Sequence, residues 1–419
     1  MRELNSARDE EIAAGEPAAP AQPVSDFEPP GGRAAASGVV AGDARTGAWG
    51  RVERDEPLTR WLLPALQREA SDLLLVVGAA PVLRVDGRLS FLDAEALTEA
   101  AIRDAVWRHL GARQLRDLEE LGAADRSLRF DARDLVPGVG IARFRVNVHR
   151  QRGGLAAAIR MLPAEIPTLH DLGLPAELGC LVGPSRGLVL VCGPTGSGKS
   201  STLAALLDHV NREREAHVIT IEDPVEYEHP HRSCLVEHVE IGRDAASFAA
   251  ALRAALRQDP DVILVGELRD LETIATALTA AETGHLILAT LHTNDVVQAV
   301  HRIVDVFEAE RQTQIRQQLS LSLHGILSQQ LVPRATGGGR VPAIELLLAN
   351  DAIRNHLRSG KVVHLYNEMV LGKRAGMVTM EESLARLVAA GVVERAEAMM
   401  RASRPEELAS LLRDGGQVV

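Results

Sequence analysis

The spacing of apolar and polar positions divides the chain into stretches of different period. Residues 1–55 carry few large apolar side chains, and Pro17, Pro20, Pro23, Pro29 and Pro30 interrupt any period, so a disordered tail is expected there. Residues 58–70 show the three-and-four spacing of an amphipathic helix. Residues 73–77 read as a strand, and 82–91 as two short strands folded back at Asp86-Gly87. Helices are expected over 101–110 and 113–121, followed by strands over 127–130, 141–148 and 156–161. Together these make an α+β domain over residues 56–163.

After a connector, 164–186, the pattern changes. Strands at 188–191, 217–221, 261–265 and 285–291 alternate with helices near 201–210, 246–258 and 271–282. Such alternation builds a parallel sheet between helical layers, so 187–350 reads as an α/β domain. Beyond it the spacing is helical, and 351–419 is expected to form a small helical region.

The apolar run 188–191 leads directly into Gly193, Pro194, Thr195, Gly196, Ser197, Gly198, Lys199 and Ser200, and then into a helix with Ser201 in its first turn. Strand, glycine-rich loop and helix in that order are what a phosphate loop requires. Glycines let backbone N–H groups converge on phosphate oxygens, and the helix start adds the positive end of its dipole. Lys199 can reach the β- and γ-phosphates, and the Ser200 hydroxyl can ligate Mg²⁺. ATP and Mg²⁺ are the expected ligands.

Acids follow two other strands. Glu222, Asp223 and Glu226 sit after the second strand, where ligands of α/β sheets bind. Glu226, past the proline bend, is the favoured group for orienting or deprotonating an attacking water. Glu222 and Asp223 could order the loop or the metal shell, and the competing reading is a solvated acidic turn. The third strand ends in Gly266-Glu267, so Glu267 is a candidate for holding the metal through water. The fourth leads to His292, which could contact the γ-phosphate or be a structural histidine. The first domain offers Arg143, Arg145 and Arg160 on adjacent strands, where a guanidinium could meet the transferring phosphoryl group. Arg269, Asp270 and His285 are candidates for an outer ring of support.

Composition narrows the class. A formal net charge of −11 argues against a general binder of phosphate backbones, and an aromatic content of 3% argues against base-stacking platforms. Cys180, Cys192 and Cys234 are scattered, with no C-x-x-C pair to suggest structural zinc, which suits a reducing cytoplasm. No apolar h-region opens the chain, and no apolar run approaches the roughly 18 residues of a membrane span, so no direct insertion is expected.

The order GPTGSGKS, TIEDPVEY, DPDVILVGELRD and TAAETGHLILATLHT resembles the secretion-type ATPases, in particular the PilT family of type IV pilus retraction motors, over residues 57–400. The resemblance implies a RecA-like ATPase domain preceded by a PAS-like domain. It assigns Glu226 as catalytic glutamate, Glu267 as Walker B glutamate and His292 as the His-box histidine. It further places Arg145 and Arg160 as γ-phosphate arginines. It implies a cytoplasmic homohexamer working under an inner-membrane platform protein, with a paralogous retraction ATPase as a further partner and no nucleic acid. The 352–356 segment resembles the family's AIRNL stretch, with His356 in the leucine position, and Leu74 stands where a histidine is common. The tetracysteine zinc site of assembly ATPases has no counterpart here, which favours retraction over assembly.

Overall fold

Among the described residues two seven-stranded sheets organise the fold. One, built from strands between Gly50 and Leu162, defines the first domain, and the other, from strands between Gly187 and Leu348, defines the second. The structure is a computed structural model and describes residues 50–85 and 87–413. These residues fall within one unit, Ala48–Val419.

The first domain runs β1 (Gly50–Val52), α1 (Thr59–Gln67), β2 (Asp72–Val76), β3 (Val82–Val85), β4 (Arg88–Phe91), α2 (Glu99–Val106), α3 (Ala112–Glu120), β5 (Ala123–Asp131), β6 (Ile141–Gln151) and β7 (Gly154–Leu162). Its sheet order is β1-β5-β6-β7-β2-β3-β4. Only the β1–β5 pairing is parallel. β1 corrects the expectation of a tail to residue 55, of which residues 1–49 lie outside the described residues. Val52 is its one large apolar residue and is buried in the core, a contribution too short to leave a periodic signal. The turn residue Asp86 lies outside the described residues.

Period-two alternation gives this sheet two unlike faces. Leu128, Phe130, Phe144, Val146, Val148 and Ile159 pack with Leu62, Ile102 and Leu118 of the helices. The intervening positions, Ser127, Arg129, Arg143, Arg145 and Arg160, fall on the other face. Register lines them up across neighbouring strands: Arg129 opposite Arg143, Ser127 opposite Arg145, Arg145 opposite Arg160, and Arg160 opposite Asp72.

The connector holds a 3₁₀ turn, Ala176–Val182, packed on the second domain through Leu178, Leu181 and Val182. That domain runs β8 (Gly187–Cys192), α4 (Lys199–Glu213), β9 (His217–Glu222), β10 (Leu235–Glu240), α5 (Phe248–Ala255), β11 (Val262–Val265), α6 (Leu271–Glu282), β12 (Leu286–Leu291), α7 (Val296–Asp305), α8 (Ala309–Ser322), β13 (Leu323–Pro333) and β14 (Arg340–Leu348). The sheet order is β10-β9-β11-β12-β8-β13-β14, parallel throughout except for the closing β13–β14 hairpin.

The central strands are buried on both faces, which is why they read as continuous apolar runs. Leu188 and Leu190 enter the core beneath α5 to α8, while Val189 and Val191 enter the one beneath α4. The chain then closes with α9 (Asp351–Arg358), α10 (Leu365–Leu371), α11 (Met380–Ala389), α12 (Arg395–Arg401) and α13 (Pro405–Arg413). Among the described residues no helix is long and apolar enough to cross a membrane.

Candidate active site

β8 delivers the phosphate loop and α4 begins at Lys199, so the loop wraps a helix N-terminus. Gly198 takes the N-cap position at φ 88° with no side-chain cap, which leaves the first N–H groups of α4 available to an anion. Gly193 sits at φ +146°, where a Cβ would lie 2.3 Å from the Gln329 carbonyl oxygen and 2.5 Å from Ser197 Oγ. Gly193 is therefore packed so closely against Gln329 and Ser197 that only a residue without a side chain fits there.

Gln329 of β13 holds the loop from behind. Its Nε2 donates to the Ser197 carbonyl at 2.7 Å, and its Oε1 accepts from Thr202 Oγ1 at 2.8 Å. Lys199 Nζ donates to the Gly193 and Pro194 carbonyls at 2.9 and 3.0 Å. Burial lowers the proton affinity of Lys199, and the carboxylates of Glu267 and Glu226 are among the groups that raise it. Ser197 Oγ is buried without a hydrogen-bond partner.

The other strand tips converge on that lysine. His292, after β12, has Nδ1 3.5 Å from Lys199 Nζ and 3.5 Å from Thr195 Oγ1, while its Nε2 lies 3.4 Å from Glu267 Oε1. Glu267 also pairs with Arg269 at 2.6 Å. The β11 and β12 tips are tied together: Leu268 N donates to the Thr290 carbonyl at 3.1 Å, and Thr290 Oγ1 donates to the Gly266 carbonyl at 2.5 Å. Arg269 thus joins the cluster of Lys199, His292 and Glu267. Asp270 instead caps α6, accepting from Thr273 N at 2.8 Å. His285 lies at the opposite end of β12, 3.0 Å from the Ala280 carbonyl, and takes no part in the cluster.

Glu226 follows the cis Asp223–Pro224 bond. Its N–H donates to Glu222 Oε2 at 3.2 Å, and its carbonyl accepts from Arg143 of the first domain. Burial pushes the Glu222 carboxyl up to about 7. Next along the chain, Tyr227 lies with its hydroxyl 2.8 Å from Ser201 Oγ, joining the acidic segment to the first turn of α4.

The arginines separate. Arg145 pairs with Asp125 at 3.3 Å and lines a cavity of about 300 Å³ with Arg113, Asp223, Pro224, Glu240 and Arg243. Arg160 pairs with Asp72 at 3.1 Å and is 68% exposed. Among the described residues neither makes a hydrogen bond or ion pair with the phosphate loop. Arg143, offered beside them by the sequence but not among the γ-phosphate arginines that the resemblance implies, is the buried one.

Sequence reasoning also missed Gln329, Ser127, Arg129 and Glu240. Ser127 Oγ donates to Glu240 Oε1 at 3.2 Å, Glu240 Oε2 accepts from Val225 N at 3.4 Å, and Arg129 pairs with Glu228. In the 352–356 segment, Arg354 donates to the Ser320 and Leu321 carbonyls at the end of α8. His356 lies 3.2 Å from Glu368 and stacks on His364.

Comparison with known proteins bears on what this site serves. A family described as Type II/IV secretion system protein matches residues 52–419. The chain belongs to that family. Within it, the chain is 44% identical to the Pseudomonas aeruginosa protein named type IV pilus retraction ATPase PilT, covering 83% of this chain and 99% of that one. It is 37% identical to type IV pilus ATPase PilU of the same organism, covering 84% and 90%. A crystal structure of the pilus retraction motor PilT with bound ADP superposes with a TM-score of 0.75 at 47% identity, covering 83% of this chain and 98% of that one. The α/β secretion-ATPase fold expected from the sequence is thereby confirmed.

Proposed function

We propose that this secretion ATPase family member is a homohexameric motor that hydrolyses ATP to drive type IV pilus retraction. The observation that carries the reading is the meeting of Lys199, Glu267 and His292 within 3.5 Å contacts at the mouth of a phosphate loop. Similarity to a retraction ATPase over most of both chains supplies the biological direction.

The loop fits a triphosphate on its own chemistry. The helix start at Gly198, free of a side-chain cap, and the buried Ser197 hydroxyl offer donors to an anion, and the bare backbone at Gly193 lets the loop turn tightly around them. Ser200 and Glu267 are the residues that would hold Mg²⁺, whose charge would offset that of the phosphates. Lys199 leaves the Gly193 and Pro194 carbonyls for the phosphate oxygens. Glu226 orients a water whose oxygen bonds to the γ-phosphorus as the bond to the ADP oxygen breaks, and it takes the proton released. Arg145 and Arg160, released from Asp125 and Asp72, supply positive charge when the first domain closes. Loss of the γ-phosphate frees them and His292, and the cleft reopens.

The ring works beneath an inner-membrane platform protein and alongside a paralogous retraction ATPase. Deletion of the gene is the test: hyperpiliated cells that do not twitch support retraction. Bald cells would instead identify an assembly motor, and loss of secretion a type II secretion motor.

A further inference from the structure

Three residues of the first domain's polar face grip the segment that carries Glu226. Ser127 reaches Glu240, which holds the Val225 N–H; Arg129 pairs with Glu228; and Arg143 donates to the Glu226 carbonyl. These contacts span from 83 to 113 residues of sequence, so they join the two domains.

Arg143 differs from the other two in holding a second main-chain group. Its Nη2 donates at 2.8 Å to the carbonyl of Pro163, the residue directly after β7 where the interdomain connector begins. One guanidinium, 4% exposed, thus joins the start of the connector to the Glu226 peptide. On the other side of that residue the N–H of Glu226 is held by Glu222. With N–H and carbonyl both fixed, side-chain torsions are the freedom left to the Glu226 carboxylate.

We infer that Arg143 is a positioning residue for hydrolysis, making the placement of the Glu226 carboxylate depend on how the two domains are set. The inference rests on the role proposed above for Glu226. Both bonds leave one planar nitrogen, Nη2, whose N–H directions are fixed by the rigid guanidinium, whereas an ammonium on a flexible stem carries no such fixed orientation. Burying such a charge is unfavourable unless partners offset it, so the position is not that of a passive surface arginine. When the domains rotate, the connector and the acidic segment move relative to one another, and the shared guanidinium transmits that movement to the Glu226 peptide.

The test uses the full chain with Arg143→Lys and Arg143→Gln, each alone and combined with Glu226→Gln. Phosphate release gives kcat, and fluorescent ADP titration gives nucleotide affinity. Hydrogen exchange reads the amides of residues 225–227, and thermal melting controls for folding. The expected result is a fall in kcat of roughly 10- to 100-fold, the scale of a small misplacement of a reacting group. ADP affinity should hold within about twofold, a split that a general loss of structure would not give. Exchange at residues 225–227 should quicken, and neither Arg143 variant should lower the residual rate of Glu226→Gln further. Should Arg143→Gln melt early, Arg143→Lys carries the same readouts. Wild-type kcat in a folded Arg143 variant, or equal losses of affinity and rate, would overturn the inference while leaving an inactive Glu226→Gln in place. Full turnover by Glu226→Gln alone would remove the base assignment and the inference with it.

Discussion

The main-chain N–H of Glu226 donates to the side chain of Glu222 across 3.2 Å, so one acid of the segment holds another in place. Burial raises the Glu222 carboxyl from its ordinary 4.5 to about 7. The unfolded chain therefore loses this proton before the folded chain does. Between those values the native state binds more protons, and its stability falls as pH rises. We expect Glu222→Gln to remove that slope, gaining relative to wild type by up to about 3 kcal/mol as pH climbs through the window. Thermal melts of both proteins from pH 4.5 to pH 8 check it, and parallel curves would contradict it.

Gly193 is the second point of test. A methyl group there would collide with the Gln329 carbonyl and Ser197 Oγ in a backbone conformation that L side chains rarely adopt. Gly193→Ala is expected to cost on the order of 1–3 kcal/mol and to weaken ATP binding strongly. A melt combined with nucleotide titration reads both, and wild-type values in both would show that the loop is not fixed as described.

Gln329 satisfies a buried carbonyl and a buried hydroxyl at once. Replacing it with leucine strands both, at about 1–3 kcal/mol for an unmet buried group. Gln329→Leu should therefore lower the melting temperature and loosen ADP binding together. ADP added in excess should restore much of the lost melting temperature, because a ligand that binds only the native state stabilises it.

Much of this architecture was legible in the chain. Strands β8, β11 and β12 are apolar on both faces, so their runs stand out without help from neighbours. Glu267 and His292 could be assigned because a parallel sheet brings its strand ends to one edge. The β13–β14 hairpin was not legible as such. Gln329 and Glu345 are polar yet buried there, and their partners come from the phosphate loop and α7. Helix α8 is rich in glutamine and buries few apolar side chains, so it too lacked a clear stripe.

Among the first-domain arginines the alternation was readable but the choice was not. Arg143 and Arg145 share a face by period two. Which of them meets the acidic segment is decided by packing against the second domain, where Arg143 finds the Glu226 carbonyl while Arg145 pairs with Asp125 of the neighbouring strand.

Lys199 gives a prediction on binding alone. Its ammonium is held by two loop carbonyls and lies beside His292, so Lys199→Ala removes the cation proposed to meet the phosphates. ATP affinity should fall by at least about tenfold, equivalent to 1.4 kcal/mol. Isothermal titration measures it, and unchanged affinity would contradict the role proposed for Lys199 at the phosphates.

The proposed cycle turns on Glu226 activating water beside a triphosphate held by the loop. Phosphate release from size-fractionated wild type and Glu226→Gln, with ATP binding measured on the same samples, tests it most directly. Retained binding with turnover reduced by roughly 10²-fold or more is the expected result. Equal turnover in the two proteins would contradict it.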